Sequence, residues 1–553
     1  MFAQALSLDP TSWYAQFSIG DVQREIGLLG SAIKTFRAIL VDRPEELGVR
    51  VVLAETCLAA GLDELRAGFL ARAEDSLVDA LEVAVAIVEA GSATRVAWKI
   101  AGDAAGALGM VPQPMRLERS KPLGRRLLAL VEAQNVDTKI ENGMDAVQAA
   151  GLKAAFDTAE APLVFLGLST LACKMRVLVE TLNDASIGSA WLDLGLSLAA
   201  VRPHLATLGL PATSDEALHQ SIRCLKFALH KEPYNAIFWN ALGVLSFDLS
   251  PRLSQHAFIK AIEHNSRGAV PWANLGLFYL VHSDEDLANQ AFLKAQVLDP
   301  DWGAAWVGQA TLAKLAGHST EAAVLLAHAF TLAGSTPEAD IGFATSAFTK
   351  YRTATEAPPA AEALSAPLFA LTRYLSQRPL DVSAIHLSAL VLEQMGDLET
   401  ASESLEQATA ILSDLYDSDE SPEVEGRFIV AQTNLGRVRL AKEDYAGAIA
   451  AFDFALSLLP SPRLPWDGAA PAGGLDRDES VLLHTECRLG TALAQFWLGE
   501  TSEAIQMLSD GLDELDEIND SRKSDLAVTL ARIYWSEDDE DRALSALLDA
   551  PDM

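Results

Sequence analysis

The sequence predicts an all-α fold, a right-handed superhelical solenoid of stacked helical hairpins, and three observations point there. Trp239, Trp272 and Trp306 recur at intervals of 33 and 34 residues. Small and aromatic residues return in register with them, most cleanly in the middle copy, as Leu275-Gly276, Tyr279, Ala288, Phe292, Ala295 and Pro300. The composition is 50% hydrophobic but only 7% aromatic, and Ala and Leu dominate it, which suits helices throughout. A period near 34 with these residue types is that of tetratricopeptide repeats, each repeat being one helical hairpin.

The spacing has a mechanical reading. Gly276 and Ala288 are expected to be small because two antiparallel helices approach closely there, with Leu275, Tyr279 and Phe292 filling the seam. Trp272 is expected to pack towards the neighbouring unit, and Pro300 ends the second helix because proline cannot continue it. The flanking copies keep the skeleton as Leu242-Gly243, Phe258 and Ala261, then Trp306, Ala310, Ala322 and Ala329. Stacked hairpins extend one core, so 553 residues need not divide into several globular domains.

Five segments follow along the chain. Residues 1–110 read as tetratricopeptide repeats. The first is truncated, because Ala5-Leu6-Ser7-Leu8-Asp9-Pro10 matches the end of a second helix, as in Ala295 to Pro300, and this predicts an array that starts inside a longer protein. A unit with Ile19-Gly20, Ala32, Phe36 and Pro44 follows, then a hairpin from Pro44 to Val88 and a helix carrying Trp98. Residues 111–180 read as an irregular helical segment, broken at Val111-Pro112-Gln113-Pro114. Its basic cluster Arg116, Arg119, Lys121, Arg125 and Arg126 reads as a solvated loop balancing local acid, with contact to RNA or an acidic partner as the other reading.

Residues 181–350 hold the central repeats, entered through Trp191-Leu192-Asp193-Leu194-Gly195 and a helix from Asp215 to Lys231. Residues 351–380 read as a Pro-containing connection with a helix. Residues 381–553 read as C-terminal repeats, with Ala389, Gly396, Ala401, Leu405 and Ala408, then Leu435-Gly436, Tyr445, Ala448, Phe452, Ala455 and Pro460 in register. The acidic run from Asp414 to Glu425 is expected to be a solvated connection. The insert 461–478 is rich in Pro and Gly and places Trp466 either as a partner anchor or folded back on the array.

Lys and Arg number 42 against 76 Asp and Glu, so the net charge is 42 − 76 = −34. Such a field repels polyphosphate and favours basic protein partners, so little direct nucleic-acid binding is expected. Cys57, Cys173, Cys224 and Cys487 lie far apart without Cys-x-x-Cys spacing and read as small buried hydrophobes in a reducing compartment. Neither a secretory leader nor an uninterrupted apolar run of membrane-spanning length is read in the sequence, which predicts a cytosolic or nuclear location without membrane partners.

No phosphate-binding loop, nucleophile elbow or His-Glu-x-x-His occurs, and His256 and His264, two turns apart, are too widely spaced for a tight metal pair. The expectation is a chain without catalytic, cofactor-binding or metal residues, and thus not an enzyme. A co-chaperone would need cations beside the first-helix asparagines Asn240, Asn274 and Asn434 to hold a terminal carboxylate. The neighbours Ala241, Ala273 and Leu277 offer none. A regulatory array attached to a glycosyltransferase would need a catalytic domain, for which no residues remain. The sequence alone assigns no partner-binding residue.

Longer stretches carry a resemblance. Asn235-Ala236-Ile237-Phe238-Trp239-Asn240-Ala241-Leu242-Gly243-Val244 with Gln255 to Ile262, then Pro271 to Leu280, Ala291-Phe292, Ala295-Gln296 and Asp299-Pro300 through Trp306 to Ala310, resemble the tetratricopeptide scaffold subunits of superkiller complexes. Trp98-Lys99 with Gly102-Asp103 and Trp191 to Gly195 fit in the same order. The resemblance implies the middle and C-terminal part of a longer chain, which cradles a DExH-type RNA helicase and binds WD40 propeller proteins. It implies a cytoplasmic role, since that assembly feeds messenger RNA to the cytoplasmic exosome for decay from the 3′ end. The propeller-binding motif of such proteins centres on Gln-Arg, but Gln23-Arg24 lies inside a regular hairpin and the role is not carried over.

Overall fold

The computed structural model describes residues 12–548 apart from 92–94, 113, 135–144, 157–158, 183–186, 333–335, 354–360, 419–420, 460–474, 476 and 519–521. Among the described residues there are 26 α-helices, two short 3-10 turns and no strand. The truncated repeat at Ala5 to Pro10, Trp466 and most of its insert lie outside the described residues. The chain forms two compact units, residues 1–339 and 340–553.

In the first unit the hairpins are Trp13–Glu25 with Leu29–Asp42, Leu47–Arg66 with Leu70–Glu89, and Arg95–Leu108 with Ala161–Leu182. They continue as Gly188–Val201 with Ser214–Lys231, Ala236–Leu245 with Pro251–His264, Ala269–Val281 with Glu285–Leu298, and Gly303–Leu315 with Ser319–Thr331. The irregular segment has a simple cause. Leu117–Ala133 and Ala149–Ala155 are inserted between the two helices of the third hairpin, which still pack on each other.

In the second unit a helix from Ser365–Gln377 precedes the hairpins Val382–Met395 with Leu398–Ser418, Pro422–Ala441 with Tyr445–Leu458, Arg477–Leu498 with Thr501–Ile518, and Lys523–Ser536 with Glu540–Leu548. Gly396 closes the first of these turns at φ 85°, a left-handed conformation that a side chain would strain. The ends of the acidic run are solvent-accessible, as expected, but helical: Asp414 and Asp417 lie on Leu398–Ser418 and Glu423 and Glu425 on Pro422–Ala441, where Tyr416 and Val424 pack with buried Leu412 and Phe428, while Asp419 and Glu420 lie outside the described residues.

The repeat glycines make room for a ring more than for a backbone. A methyl group added at Gly276 would lie 2.8 Å from the Phe292 ring, and one at Gly243 would lie 2.5 Å from Phe258. The ring of Phe292 is also covered by Gly308 of the next hairpin, so one aromatic side chain is clasped by glycines of two successive units. Phe452 is held in the same way between Gly436 and Gly490. A second local rule ties the tryptophans. The indole nitrogens of Trp239 and Trp306 each donate to the carbonyl of a proline six residues earlier, Pro233 and Pro300, at 2.8 Å. Trp272 has Ser266 at that position, and its buried indole nitrogen has no acceptor.

The basic cluster is no loop: Arg119, Lys121, Arg125 and Arg126 lie on helix Leu117–Ala133, because Leu123, Leu127, Leu128 and Val131 give it a buried face. The expectation that no uninterrupted apolar run reaches membrane-spanning length comes nearest to failing in one helix, which Lys174, Arg176 and Glu180 interrupt. Ala161–Thr181, 21 residues of mean hydropathy 1.6, is long and apolar enough by composition, and 83% of its most apolar stretch is buried inside the protein. It is a core helix that passes a membrane test because it is covered all round.

Candidate partner-docking surface

Surfaces left over after hairpin packing are found by subtraction. In the first helices Ala236–Leu245, Ala269–Val281 and Gly303–Leu315, the positions that do not face the second helix recur three and four apart. They are Ile237, Asn240 and Val244 in the first, and Val270, Asn274, Leu277 and Val281 in the second. Ile237 is 67% exposed and Val281 58%. Asn274 reaches back one repeat and donates from Nδ2 to Oδ1 of Asn240 at 3.0 Å, bridging neighbouring first helices.

The second unit repeats the device. Asn434 precedes Leu435-Gly436 as Asn274 precedes Leu275-Gly276, and its amide lies 2.8 Å from Nε2 of His386 on the preceding first helix. Burial, and secondarily the Arg437 cation, lower the His386 imidazole to about 4. It is therefore neutral at pH 7, and its Nε2 accepts from the Asn434 amide. Val382, Ser383, His386, Gly426, Val430 and Leu475 line a pocket of 250 Å³, rimmed by Glu423 and Arg427. Those two charges pair with each other at 2.5 Å.

The basic cluster is spent on the neighbouring helix. Arg116 contacts Asp75 at 2.8 Å, Arg119 contacts Asp79 at 2.8 Å and Glu82 at 3.3 Å, and Arg126 donates to Glu89 at 2.9 Å. The guanidinium of Arg125 lies 5.4 Å over the ring of Phe156. Hydrogen bonds from Arg116 and Arg126 hold the carboxyls of Asp75 and Glu89 below their usual range. Balancing local acid is thus the right part of the sequence reading, achieved by a helix.

Other singled-out residues are occupied. His256 meets the edge of Trp239 at 6.0 Å and His264 that of Tyr234 at 5.6 Å. Arg24 pairs with Asp21 and Glu55, and Gln23 accepts from Thr35, so this Gln-Arg pair is engaged within its own fold. All four cysteines are buried, which pushes the thiols of Cys57, Cys224 and Cys487 up to about 12. Among the described residues no three His, Cys, Asp or Glu side chains gather to hold a metal ion.

One cluster escaped the sequence reading. Buried Arg176 donates to Glu180, Asp193 and Ser189, tying helix Ala161–Leu182 to Gly188–Val201. Asp103, held near this cluster, is raised to about 6 by burial and then by the charge of Asp193. The signal in the sequence is a set of charges, Lys174, Arg176 and Glu180, inside an apolar helix; the i,i+4 spacing points to Glu180 but not to Asp193 or Ser189.

The tetratricopeptide repeat family matches residues 382–411. The chain is 26% identical to Superkiller protein 3 of Schizosaccharomyces pombe, over 97% of its own length and 36% of that protein. It is 28% identical to Superkiller complex protein 3 of Mus musculus and 27% identical to Tetratricopeptide repeat protein 37 of Xenopus laevis, in each case over 82% of its length and 27% of the relative. The chain therefore resembles superkiller 3 proteins over most of its length, while spanning about a third of the length of these relatives or less.

Proposed function

We propose that this chain is a non-catalytic scaffold segment of a superkiller-type complex. It holds a DExH-type RNA helicase and WD40 propeller proteins, and serves 3′-to-5′ decay of messenger RNA through the cytoplasmic exosome, which it touches only indirectly. The observation that carries this reading is the likeness to Superkiller protein 3 across 97% of the chain. The hairpin units support it, because stacked repeats offer extended surfaces to other proteins. The net charge of −34 fits a division of labour in which the helicase handles RNA. A cytoplasmic location follows from the same reading, with the nucleus as the second compartment.

A co-chaperone role is the competing class. It is disfavoured by the exposed faces at Asn240 and Asn274, whose helices contain no cation to take a peptide carboxylate.

Affinity purification from the chain's own cells at moderate salt, followed by mass spectrometry, tests the proposal. A DExH helicase and a WD40 protein should be retained in stable proportion. Chaperones alone, or no reproducible partner with the full-length protein, would remove the scaffold reading.

A further inference from the structure

Charge is distributed unevenly along the chain. Between Ser214 and Gly268 there are six Lys and Arg against five Asp and Glu, a balance of 6 − 5 = +1 within a molecule of −34. Four of the ten histidines also fall there. The stretch contains two second helices, Ser214–Lys231 and Pro251–His264. On the first, His219, Arg223, Lys226 and His230 recur four, three and four residues apart, and on the second Arg252, His256, Lys260 and His264 recur every four. Each series therefore lies along one helix face. Lys260 is partly buried and the others are exposed. Tyr234 joins the two rows: it follows the first helix, is 80% exposed, and makes a T-shaped contact at 5.6 Å with His264, the last residue of the second.

The chain does not neutralise these cations itself. Lys226, Lys231, Arg252 and Arg267 pair with no carboxylate among the described residues, in contrast to Arg116, Arg119 and Arg126. The acids of the stretch are mostly engaged elsewhere. Glu216 closes the capping box at Thr213, Glu232 accepts from the backbone N–H of Gly188 and from Asn235, and Glu263 pairs with Lys260. Helix stability does not explain the rows either. A cation in the last turn complements the helix dipole, but Arg252 stands in the first turn of Pro251–His264, where the dipole opposes it, and no acid accompanies it there.

We propose that this strip on the second helices docks an acidic stretch of a partner protein, whose Asp and Glu side chains lie along the two cationic rows. Charge complementarity selects the occupant. At about 0.15 M salt, screening over roughly 8 Å confines the attraction to the strip, so the occupant must place its negative charge there and not beyond it. A protein segment can do this, with acidic side chains on the strip and neutral ones past its ends. RNA carries a phosphate at every nucleotide and runs on over a surface that is acidic overall, so it is the poorer occupant. The aromatic rings at the strip are engaged rather than open to stacking bases: Tyr234 and Trp239 meet His264 and His256, and Phe227 packs on Trp191. The inference holds for any protein partner and does not depend on the helicase and propeller assignments above.

The test is made in the full-length protein within its native assembly. A photo-crosslinking residue in place of Tyr234, with mass spectrometry of the joined peptides, reads the occupant. The expected product joins this position to a stretch of another protein in which Asp and Glu outnumber Lys and Arg. Its yield should fall at least tenfold when Lys226→Gln, Lys231→Gln, Arg252→Gln and Arg267→Gln are combined. Arg119→Gln, which removes a cation already paired with Asp79, should leave the yield unchanged. All four strip residues are exposed, so their substitution tests docking without touching the core, and circular dichroism checks each variant. A nuclease-sensitive product, a partner stretch without excess acid, a second copy of this chain, no product, or undiminished yield in the fourfold variant would overturn the proposal.

Discussion

Phe292 shows how a single side chain sets the repeat signature. Its ring is closed in by Gly276 on one side and Gly308 on the other, so neither glycine can gain a methyl group without moving it. Gly308→Ala should cost about 1–3 kcal/mol by overpacking, read as faster amide exchange in helix Glu285–Leu298. Gly30→Ala, in helix Leu29–Asp42 with nothing within 4 Å of the new methyl, should instead stabilise by about 0.5–1 kcal/mol. Titration separates the two units in a similar way. Burial and neighbouring arginines lower His386 and His484 from 6.5 to about 4, so below 6.5 the unfolded chain takes up protons that the folded one refuses. The second unit should therefore lose stability as pH falls from 6.5 towards 4, by up to about 1.4 kcal/mol per pH unit for each imidazole. His386→Gln should reduce that acid sensitivity in amide exchange of helix Val382–Met395. Asp103 works in the opposite sense. Its folded value of about 6 lies above 3.8, so the folded state holds a proton that the unfolded state releases, and its contribution is lost as pH rises between those values. Asp103→Asn should raise the melting temperature of the first unit at pH 7 and leave it unchanged near pH 4.

Between elements, the position of helix Leu117–Ala133 is decided by one buried carboxylate more than by its arginines. Glu74, only 1% exposed, accepts from the backbone N–H groups of Met115 and Arg116 at 2.7 Å each, at the start of that helix. The arginine pairs on the same interface are largely exposed, and such pairs contribute about 0–1 kcal/mol. Glu74→Ala leaves two donors without their acceptor and should cost about 1–3 kcal/mol. Arg119→Ala should cost less than about 1 kcal/mol. Denaturant unfolding of the two variants, followed by exchange within 117–133, checks the order. The Arg176 cluster plays a similar joining role for helices Ala161–Leu182 and Gly188–Val201, and explains how a long apolar helix tolerates an arginine near its end.

At the scale of the whole molecule, charge governs what the surface accepts. With a net charge of −34, the purified chain should not retain a single-stranded RNA of roughly 30 nucleotides at about 0.15 M salt, as a filter-binding assay would show. Retention would point to a local basic surface, and the cluster from Arg116 to Arg126 offers little of one because Arg116, Arg119 and Arg126 face Asp75, Asp79, Glu82 and Glu89. By itself the sequence determined the hairpin repeat, through the tryptophan period and the glycine, alanine and proline positions, because these depend on spacing within one unit. It also placed Asn240, Asn274 and Asn434 on first helices, and it recorded the −34 imbalance. The tertiary structure alone decided which distant groups meet. It set the basic cluster on a helix against acidic residues about forty positions away, covered Ala161–Leu182 on all sides, placed Asn434 against His386, and inserted two helices within one hairpin. The physical reason is range: periodicity reports which face of a helix is buried, while pairing and covering depend on what other elements bring to that face.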